Sequence, residues 1–293
     1  MKRYTKIEQV QGWLLLLPAL VLLSMFTYYP TIATFIGSFF SNKTVIKPQK
    51  FIGFDNYVSM LKDEVFLTTL KNTFYYALTT VPVSITLALI MALLINRNIR
   101  AKGIMRLAYF TPTILPMVAV ANIWLFFYSP DIGLLNKLVS YFGFEPINWL
   151  GDPKTVLDAL VAMTIWKEAG FFMIFYLAAF QSLPRDLYEA AKIDGASSWR
   201  SFWKITFPLV MPTTFFIMIN ALLNAFKTVD QLFILTKGGP DNASNLLLYY
   251  IYETAFSFFD YSYAAALTIL LLLILVLLSL FQFTIIEKRI HYK

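Results

Sequence analysis

An all-α membrane protein with six transmembrane helices is the fold class that this sequence predicts, and three observations carry the expectation. Of its 293 residues, 58% are hydrophobic and only 14% charged, with a mean hydropathy of +0.64. Soluble domains carry about 45–50% apolar and about 25% charged residues, so too little polar surface is left to coat a water-soluble globule. Six apolar runs each reach the about 20 residues that an α-helix needs to cross about 30 Å of hydrocarbon. Lys and Arg gather in alternate short connections between those runs, as the positive-inside bias requires. Lipid offers no partner for unpaired N–H and C=O groups, so the runs are expected to be helical.

The runs fall at 13–40, 73–95, 107–128, 156–180, 207–226 and 264–286, and the whole chain, 1–293, reads as one transmembrane domain. Lys2, Arg3 and Lys6 precede the first run as they would in a secretory leader. The run exceeds the usual 7–15-residue apolar region and lacks an A-x-A-like cleavage site, so it is expected to stay as a span. The third and fifth runs carry Pro112, Pro116, Pro208 and Pro212. Each proline deletes a helical hydrogen bond, which near a span end fits a helix start or a kink. The last run is nearly pure Leu, Ile and Val from 267 to 280.

With six crossings both termini share a side. That side holds fourteen basic residues: Lys2, Arg3, Lys6; Arg97, Arg100, Lys102, Arg106; Arg185, Lys192, Arg200, Lys204; and Lys288, Arg289, Lys293. The opposite side holds nine, among them Lys47, and Lys167 lies inside a span. Both termini are therefore expected in the cytoplasm. The net charge of +7 is then a topology signal and not a nucleic-acid footprint.

Several chemistries are excluded. The chain has no cysteine and one histidine, His291, so it offers no disulfide, thiolate nucleophile, His-based metal cluster or Ser-His-Asp triad. None of its eleven glycines is followed by Lys, so it has no phosphate-cradling G-x-x-x-x-G-K-[ST] loop. It is expected not to be an enzyme and to hold no cofactor or metal of its own.

On the outer side, segments 41–72, 129–155 and 227–263 carry turn chemistry such as Ser129-Pro130-Asp131, Gly151-Asp152-Pro153 and Gly238-Gly239-Pro240-Asp241-Asn242. They read equally as docking surfaces or as plain connectors. On the inner side, 181–206 predicts a short amphipathic helix, a turn, and a membrane-surface helix entering the fifth span. Ser182 is its expected N-cap and Pro184 lies in its first turn, with Asp186 and Glu189 near the positive helix end. Leu183, Leu187 and Ala191 share a face, Gly195 stops the helix, and Ser198 caps the next start through Trp199, Phe202, Trp203 and Ile205.

Polar residues within hydrocarbon usually face protein or a water-filled cavity. Asn220, Asn224, Lys227 and Gln231 recur at i, i+4, i+7 and i+11, which predicts one helix face lining a solute path. Hydrogen bonding between packed spans is the other reading of that stripe. Lys167 and Glu168 lie midway along the fourth span and diverge by about 100°, so they cannot face one partner. Lys167 reads as an ion pair or interfacial contact, with solute contact as the alternative, and Asn122 in the third span is a weaker path candidate. Glu168, as the carboxylate deep in a span, would be the ion site of a coupled secondary transporter.

The segment Leu187-Tyr188-Glu189-Ala190-Ala191-Lys192-Ile193-Asp194-Gly195-Ala196, followed by Phe202, Ile205, Phe207 and Pro208, resembles the E-A-A-x-x-x-G…I-x-L-P loop of membrane subunits of bacterial ABC importers. Its form is similar to that of the sugar and glycerol-3-phosphate branch, with maltose-type and glycerol-3-phosphate-type permeases. Phe207 stands where many relatives have Leu. The resemblance extends to Leu17-Pro18-Ala19, Tyr29-Pro30, Phe54-Asp55-Asn56-Tyr57, Gly133-Leu134-Leu135-Asn136, Trp166-Lys167, Gly238-Gly239-Pro240 and Tyr249-Tyr250-Ile251-Tyr252. It implies a type I ABC importer permease fold whose cytoplasmic coupling helix, with Glu189, Ala190, Ala191, Asp194 and Gly195, seats on an ATPase. It further implies two cytoplasmic ATPase subunits that bind ATP and Mg, a second related permease in a heterodimer, an extracytoplasmic solute-binding protein, and a bacterial inner membrane.

Overall fold

The computed structural model describes residues 6–43, 48–96 and 102–286. The basic positions Lys2, Arg3, Lys47, Arg97, Arg100, Lys288, Arg289 and Lys293, and His291, lie outside the described residues. The described residues form helices and loops, with a single isolated antiparallel bridge, Phe40 to Phe51, in place of any strand. Five helices among them are long and apolar enough to cross a bilayer, and a sharply bent pair makes six when taken as one span. Two compact units are formed, one from 1–63 with 251–272 and the other from 64–250 with 273–293.

In the first unit, α1 (Lys6–Leu23), a π turn (Ser24–Tyr28) and α2 (Tyr29–Gly37) make one apolar helical run of 32 residues. The π turn falls where Pro30 cannot donate, and the Tyr29 N–H reaches back to the Ser24 carbonyl. No described side chain of this helix is buried. The chain then turns sharply, and Asn56 holds the turn by donating its amide to the Ser38 carbonyl (2.7 Å) and the Phe40 carbonyl (3.0 Å). Asn56 sits on α3 (Asp55–Met60), where Tyr57 shares a 2.7 Å hydrogen bond with the Ser38 hydroxyl and packs with Phe39 and Phe54. The Phe54-Asp55-Asn56-Tyr57 motif is thus a clamp on the chain leaving the first span.

The second unit is built around a central helix. Its elements are α4 (Glu64–Asn96), α5 (Lys102–Ile114), α6 (Met117–Phe127), α7 (Leu134–Tyr141), α8 (Val156–Ser182), α9 (Arg185–Ile193), α10 (Ser198–Ser201) and α11 (Phe207–Phe226). α12 (Asp230–Leu235) follows, α13 (Leu247–Tyr252) begins in the second unit and ends in the first, and α14 (Tyr261–Phe281) begins in the first and ends in the second. α8 packs against α4, α5 and α11. Leu160, Met163, Phe172, Met173 and Tyr176 of α8 are wholly buried, as are Tyr76, Ala88, Ala92 and Ile95 of α4. Between spans such side chains are held by van der Waals packing, lipid being as apolar as they are, and this closely packed helix pair is the core.

Two loops are tied down by single asparagines. Asn136 of α7 is buried and donates to the Pro130 and Ile147 carbonyls (3.0 and 2.8 Å) while accepting from the Ile147 N–H and the Trp149 indole (3.1 and 2.9 Å). Asn72 donates to the Asn242 and Asn245 carbonyls, and Thr73 accepts the Leu247 N–H, which pins the Gly-Gly-Pro loop to α4. In that loop Gly238, Asp241 and Asn242 take positive φ, as its turn chemistry predicts, and Lys237 before them does so as well.

The fifth run coincides with α11, whereas the other boundaries move. The first helix runs Lys6–Gly37, the second Glu64–Asn96, the fourth Val156–Ser182, and the last Tyr261–Phe281 with a π turn through Ile286. The expected single helix over 107–128 is corrected. α5 and α6 meet at Leu115-Pro116 with a bend of 103°. Pro116 takes an extended ψ of 145° and has no N–H to return to the Pro112 carbonyl, so the helix cannot continue through it.

Candidate coupling and translocation sites

α9 leaves the end of α8 through Leu183 and Pro184, both extended, and closes with a Schellman motif. The Gly195 N–H reaches the Lys192 carbonyl and the Ala196 N–H reaches the Ala191 carbonyl at 2.9 Å, with Gly195 at φ +72°. Gly195 therefore supplies the stop that the sequence predicts. Two caps are corrected. Ser182 ends α8 and donates to the Ala179 carbonyl, leaving Pro184 as the N-cap of α9. Ser197, rather than Ser198, caps α10 by accepting the Arg200 N–H.

The predicted face is corrected as well. Leu183 lies before α9, and Leu187 is 43% exposed. The inward face is Tyr188 with Ala191, and the Tyr188 hydroxyl meets the Thr206 hydroxyl at 2.9 Å in the π turn Phe202–Thr206 that roots α11. Leu187, Ala190 and Ile193 form the outward stripe, with Ile193 87% exposed. Glu189, Asp194 and Gly195 are also exposed. Trp199 and Trp203 pack edge to face at 5.7 Å, and Trp203 packs against Phe207 at 5.1 Å. The helix is thus capped at its C-terminus, tied to the root of α11 through Tyr188, and presents an apolar stripe that the described residues leave uncovered.

Midway along α8 the polar residues separate into three settings. Asn224 of α11 points its amide at Glu168 of α8, at 3.5 Å, and Asn220 one turn earlier donates to its own helix at the Phe216 carbonyl. Gln231 does not join them, because α11 ends at Phe226 and α12 starts at Asp230, so the predicted four-residue face is broken. Gln231 is wholly buried and donates to Tyr76 (2.7 Å) and Thr164 (3.0 Å), which bond each other at 2.6 Å. It follows the interhelical reading of the stripe. Lys227 is exposed at the end of α11, and Asn122 is exposed on α6, donating to the Val118 carbonyl.

Lys167 faces neither carboxylate nor stripe. Its ammonium donates to the Leu115 carbonyl at 2.8 Å, with a longer contact of 3.4 Å to the Pro112 carbonyl. The expected adjacency rule holds here, since Glu168 turns toward α11 while Lys167 turns toward the bend. Tyr188 and Thr206 are the residues of these sites that sequence reasoning did not single out as site residues, and Glu168, expected only as the ion site of a coupled transporter, here meets Asn224. Only the L-Y-E-A-A form of the motif carried a signal for the first.

Apolar helices long enough to span a bilayer, a broken span, polar groups midway along α8 and an exposed amphipathic helix after it together define a multi-pass membrane protein. The chain belongs to the family described as binding-protein-dependent transport system inner membrane component, whose model matches residues 84–292. It is a permease subunit of an ABC importer, a transport component rather than an enzyme. Among its relatives, the sulfoquinovosyl glycerol transport system permease of Agrobacterium fabrum is 36% identical over 254 residues, 86% of this chain and 82% of that protein. The sn-glycerol-3-phosphate transport system permease of Rhizobium meliloti is 30% identical over 293 residues and the match spans all of both chains. A crystal structure of a bacterial ABC transporter that imports the acidic polysaccharide alginate superposes with a TM-score of 0.84 at 27% identity, over 96% of this chain and 97% of that one.

Proposed function

We propose that this permease passes a carbohydrate or a glycerol-3-phosphate-like solute, handed over by an extracytoplasmic binding protein, and pairs with a second related permease and two cytoplasmic ATPases. The single observation that carries the reading is the α9 stripe. Leu187, Ala190 and Ile193 lie exposed on a helix locked by a Schellman turn and by the Tyr188–Thr206 bond. A rigid helix with an uncovered apolar face can seat in a groove and transmit a displacement, which a loose loop could not. Glu189 beside it suits a basic or amide group of the ATPase, which would hold the ATP and Mg.

On this reading α9 and both termini lie in the cytoplasm, which the basic residues of the alternate short connections support. The bare apolar helix over Lys6–Gly37 supports contact with lipid and with the second permease. The solute names of the relatives and the amides of Asn220 and Asn224 beside Glu168 favour a hydroxyl-rich solute at mid-depth. Binding-protein docking and ATP-induced closure would then favour the outward-facing state by population shift.

The test is Ile193→Asp in the assembled importer. The permease should reach the membrane at wild-type level while ATPase co-purification falls about thirtyfold, the loss expected when a buried anchor of about 2 kcal/mol is removed. Undiminished co-purification would sink the coupling assignment. Asn220→Leu with Asn224→Leu should abolish uptake with assembly retained; loss of the assembled complex would make both residues packing groups.

A further inference from the structure

We propose that Lys167 is a positioning residue that replaces the helical hydrogen bonds removed at the α5–α6 break, and so holds the two arms of the third span at their 103° bend. In a straight helix the Pro112 carbonyl would accept from the residue 116 N–H, which proline lacks. The Leu115 carbonyl would accept from Ala119, which the bend carries away on the other arm. These two are among the last four carbonyls at the end of α5 that lose their own-helix donors at the break, and lipid supplies none. The Lys167 ammonium reaches both from α8, at 2.8 Å to Leu115 and 3.4 Å to Pro112.

The surrounding contacts serve the same bend. The Thr113 hydroxyl donates back to the Lys167 carbonyl at 3.0 Å. One turn on, Gly170 lies so close beneath α5 that a Cβ there would strike the Tyr109 carbonyl oxygen. On the other arm, the Trp166 ring packs against Trp124 of α6 at 5.6 Å. Residues 166–170 of α8 therefore grip both arms, and the lysine satisfies the break between them. The grip keeps Asn122 on α6 in a fixed relation to Glu168 on α8, and it assigns Lys167 to the bend instead of to solute.

The chain has no cysteine, so two spin labels can be placed at Ile104→Cys and Leu125→Cys, one on each arm, in the complete importer in lipid nanodiscs. K167M, which keeps length and removes the donors, should shift or broaden the label-to-label distance. It should also lower maximal transport about tenfold while the half-saturating concentration of loaded binding protein stays within about twofold. K167R should restore both. An unchanged distance in K167M would overturn the inference, as would an about tenfold rise in the half-saturating concentration at a retained maximal rate, the signature of a solute contact. Should K167M fail to accumulate, K167R decides: a wild-type distance supports the inference and a shifted one overturns it.

Discussion

The inner-face helix α9 and the mid-membrane stretch 164–170 of α8 are both short and both motif-bearing, yet they are governed differently. α9 is built from local rules, with an extended Pro184 at its start, a 3.6-residue period and a glycine stop at φ +72°. Among the described residues its side-chain tie to the bundle is the hydrogen bond of Tyr188 to Thr206. Residues 164–170 carry no cap and no period of their own, and their side-chain partners among the described residues lie more than fifty residues away in sequence, on α4, α5, the α5–α6 break, α11 or α12, apart from the Thr164 bond to the Leu160 carbonyl. A docking helix must be rigid but uncovered. A span centre must satisfy every polar group from its neighbours.

Substitutions can sharpen this contrast, and the largest effect is expected inside the membrane. Gly170→Leu forces α5 off α8 and should cost about 3 kcal/mol or more, enough to abolish accumulation of folded permease on fluorescence-detected gel filtration. Next comes Gln231→Leu, which strips a buried donor from Tyr76 and Thr164. It should lower stability by about 1–3 kcal/mol, read as a reduced Tm of the purified complex. On the surface helix, Tyr188→Phe removes one hydrogen bond of about 1 kcal/mol. The expected outcome there is intact assembly with slowed uptake at undiminished ATPase docking; if uptake is unchanged, the tie to Thr206 carries no coupling. Ser197→Ala removes a cap worth about 1 kcal/mol and should show a small Tm change only. A Ser197→Ala effect exceeding that of Gln231→Leu would break the comparison.

Legibility in the sequence followed the same divide. The apolar run over 207–226 matches α11, and the Gly195 stop matches its turn, because both depend on residues adjacent in the chain. The Asn220–Gln231 stripe failed because a helical period was extended across Lys227–Val229, where the helix ends. The third span failed for a related reason. Pro112 and Pro116 announced a disturbance, but the 103° angle depends on what α8 offers to the broken ends. Asn56 and Asn136 were visible only as parts of motifs, and their partners, Ser38, Phe40, Pro130, Ile147 and Trp149, became known with the fold.

By itself the sequence determined the solvent of this protein, the apolar runs that offer five to six candidate spans, and the presence of an amphipathic helix with a glycine stop. Those follow from transfer free energies and backbone geometry, which act residue by residue along the chain. The tertiary structure alone decided which polar group meets which: Glu168 with Asn224, Gln231 with Tyr76 and Thr164, Lys167 with the carbonyls of the bend. In a medium without water a buried polar group takes whatever partner the packed helices bring within about 3 Å, and packing of distant segments is not written in any local window.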